Sequence, residues 1–291
     1  MTLEQLRIFV AVAELEHVTR AAGRVNLTQS ATSAAIAALE ERYATRLFDR
    51  IGRNIRLTDA GRQFLPEARA VLSRAGAAEA ALSDFSGLKR GHLSVAASQT
   101  AGNYWLPEPL YKFRKKYPGI TVDLQIGNTE QVANRVEAGQ ADLGVVEGEI
   151  DVPALSSQPI IEDELMLVVG PTHAYAKRRS IKAEELREIA WVVREKGSGT
   201  RAVFEQALKK FGIALADVAI VLELPSNEAV RTAVQAGAGA TLLSKLVASN
   251  ALRAGSLVRL ALSLPNRRFF LLHHKERRVT PAEREFIATL A

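Results

Sequence analysis

Residues 47–61, LFDRIGRNIRLTDAG, restrict the fold of this chain more than any other stretch. Leu47 and Phe48 on one side and Ile55 and Leu57 on the other are apolar anchors, and Gly52 between them permits a tight reversal. The segment therefore reads as a small wing that returns to its own core. Arg46, Arg50, Arg53 and Arg56 lie along one edge of it, with Asp49 as the opposing charge. Three helical patterns precede the wing. Thr2 and Gln5 fit a capping box ahead of Leu6, Phe9, Val10 and Ala13 at helical spacing. Residues 18–25 fit a second helix, Asn26 and Leu27 a turn, and Thr28 caps a third helix running to about Arg42.

On that third helix Thr32, Ala35, Ile36, Leu39 and Tyr43 form the inward stripe, while Gln29, Ser30, Ser33, Ala34 and Ala37 face the other way. A small face bearing hydroxyls and an amide can enter a major groove, where Gln29 pairs with an adenine edge and the serines take bases or phosphates. An ordinary three-helix domain with a small polar face explains the helix equally well. The wing decides between them: arginines set directly beside a helix–turn–helix are better explained by phosphate contacts than as a solvated face. The formal net charge of +6 agrees, though a basic balance alone is weak evidence.

The 291 residues suit two or three domains, and the chain has no cysteine, which excludes disulfides, zinc fingers, iron–sulfur ligation and thiol redox sensing. The start, MTLEQLRIFVAV, lacks signal-peptide features, and no apolar run approaches the ~20 residues of a membrane span. A cytoplasmic protein with no membrane partner is expected. After the wing, Thr58 can cap a long helix from about Asp59 to Leu88. Its apolar edge runs through Leu65, Ala68, Leu72 and Ala75, is interrupted by Glu79, and resumes at Leu82 and Phe85. This edge fits a coiled-coil-like seam or, alternatively, packing on its own domain.

From Gly91 strands and helices alternate. Strands are expected at 93–97, 120–126, 142–147, 165–170, 189–193, 219–224, 240–243 and 269–273, with helices at 104–117, 129–138, 200–211, 228–236 and 281–290. The strand–helix–strand–helix–strand order occurs twice, implying two similar lobes. The chain should cross between them near 161–164 and 264–267, with the last strand and helix returning to the first lobe.

In such sheets ligands bind where strands end and helices begin. Ser98-Gln99-Thr100 ends one strand, and Glu195-Lys196-Gly197-Ser198-Gly199-Thr200-Arg201 ends its counterpart. Asn128-Thr129 and Ser226-Asn227 are two more polar helix starts. Several positive helix ends and Arg201 favour a small anion. Each Ser or Thr reads equally well as a plain helix cap, and the glycines beside Ser198 favour the ligand. Glu147 and Glu195 cut the other way: they pair with Arg201 or Lys196, or accept an amino group of the ligand. An enzyme reading finds no support. Gly197-Ser198-Gly199 lacks the flanks of a nucleophile elbow, Lys196–Thr200 is not a phosphate-binding loop, and His17, His92, His173, His273 and His274 lack metal-ligand spacing. No catalytic or metal-binding residue is expected, and no cofactor.

Residues 3–61 resemble the winged helix–turn–helix of LysR-type transcriptional regulators. The matching positions are Leu3, Leu6, Phe9, Ala21-Ala22, Thr28-Gln29-Ser30-Ala31, Ser33, Leu39-Glu40, Leu47-Phe48, Arg50, Arg53, Leu57-Thr58 and Ala60-Gly61. The later part resembles the effector domain of the same family, through Leu106-Pro107, Phe113, Tyr117-Pro118, Asp142-Leu143-Gly144, Glu164-Leu165, Pro171 and His173. There are two departures. His17 stands where the family usually has a capping serine, at a cost of at most ~1 kcal/mol. Ala34 and Ala37 leave the reading face without a long basic side chain, which shifts specificity toward DNA shape.

The resemblance implies an α/β chain in three parts: an all-α winged helix–turn–helix over 1–58, a linker and dimerisation helix over 59–90, and a two-lobed effector-binding domain over 91–291. That last domain has the type 2 periplasmic-binding-protein-like fold, with lobe 1 at about 91–162 and 266–291 and lobe 2 at about 163–265. It implies DNA contacts by Thr28, Gln29, Ser30, Ser33, Arg50 and Arg53, and effector contacts by Ser98, Thr100, Asn128, Glu147, Ser198, Gly199, Thr200 and Asn227. The implied partners are double-stranded promoter DNA, further copies of the chain as dimer and tetramer, and RNA polymerase for an activator. Arg194–Arg201 is most similar to members tied to sulfur assimilation and carbon fixation, which points to a sulfur oxyanion or a phosphorylated metabolite as effector, beside the carboxylate that the positive helix ends would also accept.

Overall fold

The computed structural model describes residues 1–51, 54–84 and 91–290. Gly52, Arg53, Phe85 and Leu88 lie outside the described residues, as do the side chains of Arg50, Glu79 and Leu82. The chain divides into two compact units, residues 1–87 with 138–140 and residues 88–137 with 141–291.

The first unit begins with α1 (Leu3–Leu15), α2 (Val18–Arg24) and α3 (Gln29–Arg42). Thr2 and Gln5 form the full capping box of α1. His17 fills the capping place of α2 through its imidazole, which accepts a hydrogen bond from the Arg20 N–H at 3.4 Å. Strands β1 (Phe48–Ile51) and β2 (Asn54–Leu57) pair antiparallel, and α4 (Asp59–Asp84) follows. Leu6, Phe9, Val12, Ile36, Leu39, Leu47, Phe48 and Ile55 make the core. Phe9 is its centre, with ring centroids 5.4 Å from Phe48 and 5.0 Å from Phe64. Burial follows the helical period except at Tyr43, which is exposed because it terminates α3 rather than continuing the stripe.

Two contacts place the wing. The Glu40 carboxylate accepts from the N–H groups of Leu47 (2.7 Å) and Phe48 (3.0 Å). Thr58 donates to the Arg46 carbonyl and accepts from the Gly61 N–H, so it caps α4 and holds the wing's base. Gly61 has to be glycine, since a Cβ there would meet the Leu47 carbonyl oxygen at 2.1 Å. Across the ribbon Asp49 pairs with Arg56 and Arg50 with Ile55; the expected arginine edge includes Arg53 and the Arg50 side chain, which lie outside the described residues. Ala68 of α4 is fully buried and Leu65 and Leu72 pack on the same core, so these seam residues are used within their own unit.

The second unit holds two five-stranded sheets. The first takes β3 (Gly91–Ser98), β4 (Ile120–Gly127), β5 (Leu143–Glu147), β6 (Leu155–Asp163) and, from the end of the chain, β12 (Arg267–His274), in the order β4-β3-β5-β12-β6. Strands β3, β4 and β5 are parallel, and β12 runs antiparallel between β5 and β6. The second sheet takes β7 (Leu165–Val169), β8 (Ala190–Arg194), β9 (Ala219–Leu224), β10 (Ala240–Ser244) and β11 (Val258–Leu260), in the order β11-β7-β10-β8-β9. Helices α5 (Pro107–Lys116), α6 (Thr129–Glu137), α7 (Gly199–Lys210), α8 (Asn227–Gln235), α9 (Lys245–Arg253) and α10 (Pro281–Thr289) cover the faces. Strands β5 and β7 are buried along their whole length; β7 is a continuous apolar run, and β5 is apolar up to Glu147 at its end.

The helix expected at 104–117 is in two pieces. Ala101–Trp105 forms a π-helical turn, closed by the Leu106 N–H on the Ala101 carbonyl, and Pro107 then opens α5 because its fixed φ suits a first helical position. Strands β6 and β11 and helix α9 escaped the sequence reading. β6 contains Gln158 and Pro159 and lacks apolar alternation, and β11 has three residues.

Candidate functional site

On α3, Thr28 caps the helix by accepting from the Ala31 N–H at 3.2 Å, and its hydroxyl lies 3.0 Å from that of Ser30. Gln29, Ser30, Ala34 and Ala37 are exposed and Ser33 is half-buried. The Gln29 side chain makes no hydrogen bond among the described residues, which leaves both ends of its amide for an outside partner. Arg46 and Arg56 are exposed on the adjoining wing.

In the second unit the expected ligand residues gather where the two sheets meet. Ser98 ends β3 and Thr100 follows it; Glu147 ends β5; Ser198, Gly199 and Thr200 begin α7; Asn227 begins α8. All seven are buried, and Asn128, ahead of α6, is half-buried. They are joined to each other across the lobes. Asn227 donates to the Thr100 hydroxyl (3.1 Å), and its backbone N–H donates to the Gln99 carboxamide (3.0 Å), whose NH2 donates to the Pro225 carbonyl (2.8 Å). The Gly199 N–H donates to the Thr129 hydroxyl (3.1 Å), which donates in turn to Glu147 (3.3 Å). Asn128 donates to Glu195 (3.3 Å), and Tyr104 to Glu228 (2.8 Å).

A second polar knot lies where the chain passes between the sheets. The Arg267 guanidinium grips the Asp163 carboxylate with two nitrogens, one of them at 2.7 Å, and a third nitrogen donates to the Thr200 hydroxyl at 2.9 Å. The Ser244 hydroxyl donates to the other Asp163 oxygen at 2.5 Å. Both charged side chains are sealed from solvent, at 0% and 1% exposure.

The model of the family described as "Bacterial regulatory helix-turn-helix protein, lysR family" matches residues 3–62, and that of the "LysR substrate binding domain" matches residues 86–291. The chain belongs to the LysR family. It is a LysR-type transcriptional regulator with a helix–turn–helix and an effector-binding domain, and not an enzyme. A curated relative, the "Probable RuBisCO transcriptional regulator" of Cyanidioschyzon merolae, is 39% identical over 246 residues, 84% of this chain and 81% of that one. Full-length CbnR complexed with its target DNA is 25% identical with a TM-score of 0.71, covering 100% of this chain and 99% of that one. The Synechocystis CcmR regulatory domain in complex with 2-PG is 30% identical with a TM-score of 0.63, covering 69% of this chain and 96% of that one.

Against that LysR background, several side chains are placed differently from the sequence reading. Arg201, expected to favour an anion, is 4% exposed and already neutralised by Glu205 (2.6 Å) and Glu223 (3.1 Å). Glu195 pairs with Arg194 rather than Arg201 or Lys196. Burial works against its charge, but the Arg194 guanidinium prevails and holds its carboxyl below the usual range. Asn128 and Ser226 are helix caps, accepting from Gln131 and Ala229. Gly199 lacks a side chain because the lobes meet there: a Cβ would lie 2.5 Å from the Glu147 carbonyl oxygen and 2.9 Å from the Thr129 hydroxyl. Ser198 differs from Asn128 and Ser226, since its hydroxyl does not cap its own helix.

The sequence reading missed Arg267, Asp163, Arg194 and Gln99. Arg267 and Asp163 sit at the two expected lobe crossings, and opposite charges at both crossings were the available signal. The histidines have local roles: His173 and His274 accept from nearby backbone N–H groups, and His92 meets the Thr121 hydroxyl. Among the described residues no group of acids and histidines could hold a metal ion, and no helix is long and apolar enough to cross a membrane.

Proposed function

We propose that a small cytoplasmic effector binds between the two lobes, at the start of α7, and thereby controls how copies of this regulator engage promoter DNA. The carrying observation is that the hydrogen bonds joining the lobes run through Thr100, Thr129, Glu147, Gly199, Thr200 and Asn227, while the buried Ser98 hydroxyl among them has no partner among the described residues. An unpaired buried hydroxyl costs roughly 1–3 kcal/mol, and a ligand that satisfies it favours one lobe arrangement over another. The first turn of α7 presents N–H groups beside the uncommitted Ser198 hydroxyl, which suits an anionic group such as a carboxylate, a sulfur oxyanion or a phosphate. The CcmR complex with 2-PG supports a phosphorylated metabolite as one member of this class.

In this reading Thr28, Gln29, Ser30, Ser33, Arg50 and Arg53 contact DNA, and α4 pairs two copies. Because Leu65, Ala68 and Leu72 serve their own core, the pairing face is the one carrying Val71, 41% exposed. Tetramers, and contact with RNA polymerase at activated promoters, complete the proposal. Thr200→Val is expected to abolish the effect of 2-phosphoglycolate or sulfite on operator binding while leaving ligand-free operator affinity nearly intact. Equal loss of both would overturn the site. Arg53→Ala is expected to weaken binding and reduce its salt slope by about one.

A further inference from the structure

A cavity of about 880 Å³ opens beside the joint between the lobes, lined by the end of β5, the first turn of α6 and the start of α7. Its walls carry Glu130, Glu147, Glu149 and Asp151 against the single lysine Lys196, since Arg201 and Glu205 neutralise each other. Three of these acids are exposed and need no partner, but Glu147 is 4% exposed. Its carboxylate accepts one hydrogen bond, from the Thr129 hydroxyl, and forms no ion pair among the described residues. A buried carboxylate normally has a cation or several donors, because one hydroxyl does not offset the loss of water. Ser198, 5% exposed, lines the same cavity with a hydroxyl that has no hydrogen-bond partner among the described residues.

We infer that this cavity takes a small ligand carrying an ammonium group, seated on Glu147, as well as an anionic group at Ser198 and the start of α7. The inference rests on the proposed effector site and adds the ligand's second charge. An ammonium fits better than a metal ion, because no three of the described acids and histidines converge to ligate one. The two polar features lie together: Gly199 brings α7 against Glu147 with no side chain between them. A ligand spanning both would touch the two lobes at once. An anion without an amine would leave Glu147 as it is.

The test uses the full chain and Glu147→Gln, which retains the acceptor for Thr129. Without ligand, replacing a carboxylate held by a single hydroxyl is expected not to lower the melting temperature; a fall would make Glu147 a structural carboxylate and overturn the inference. O-phospho-L-serine and L-aspartate are then compared with their Nα-acetyl forms, and 2-phosphoglycolate and sulfite serve as amine-free anions. The inference expects an amine-bearing probe to raise the wild-type melting temperature, its acetylated form to act at least tenfold more weakly, and Glu147→Gln to lose the response. It fails if no amine-bearing probe acts, or if the variant responds like the wild type. If an amine-free anion acts through Thr200 while no amine-bearing probe acts on the wild type, the effector site stands and the ammonium seat alone fails. If no probe of either kind acts, both fail.

Discussion

Replacing Arg267 with methionine removes the cation from a carboxylate that has no access to water. Asp163 is 1% exposed at its side chain and would keep only the Ser244 hydroxyl, and Thr200 would lose its donor as well. Breaking a buried ion pair from one side costs about 3–5 kcal/mol, because the surviving charge is stranded. For a unit of this size that corresponds to a fall in melting temperature of about 6–20 °C. The double variant Arg267→Met/Asp163→Leu removes both charges, and such replacements are commonly neutral or stabilising by about 1–4 kcal/mol. Calorimetry on the full chain should therefore show a large loss in the single variant and recovery of most of it in the double. A single-variant loss below about 1 kcal/mol, or a double variant no better than the single, would refute the account of this knot as a desolvated pair.

Two further outcomes follow from buried groups. Burial, reinforced by Asp142, raises Glu283 from 4.5 to about 7. The folded protein thus keeps a proton that the unfolded chain releases, and stability from this group is lost as pH rises from about 4.5 to about 7. Glu283→Gln removes that loss, so relative to wild type it should gain on the order of 3 kcal/mol between pH 4.5 and pH 8; a pH-independent difference in urea titrations would contradict this. Gly199→Ala places a methyl group against the Glu147 carbonyl and should cost about 1–3 kcal/mol by overpacking. It should also blunt the effector response in operator-binding assays, and a normal response with normal stability would show that the lobes need not approach there.

The first unit was legible because its signals are local. The Thr2 and Gln5 capping box, the Thr28 cap and the apolar spacing of Leu6, Phe9 and Val12 each lie within a few residues, and the structure uses them as read. Most of the alternating strands and helices of the second unit were legible for the same reason, but not β6, whose pairing with β12 depends on residues 104 or more positions away. The positions of the candidate ligand residues came from the family pattern, but their bonding did not. Whether Thr100 meets Asn227 or Gln99 meets Pro225 depends on how two sheets meet, and no spacing encodes that. Arg201 shows the limit most clearly. Its charge suggested an anion seat, yet Glu205, four residues on along the same helix, was the available warning that the charge is used internally.

One carboxylate constrains how this regulator can answer a signal. Glu40, near the end of α3, holds the Leu47 and Phe48 N–H groups, so the helix and the base of the wing are tied to each other. A head tied in this way is expected to keep its half-site preference when the effector binds. A signal can then act only on how many heads reach the DNA together and how far apart they stand, so operators for this protein should differ in half-site spacing more than in half-site sequence.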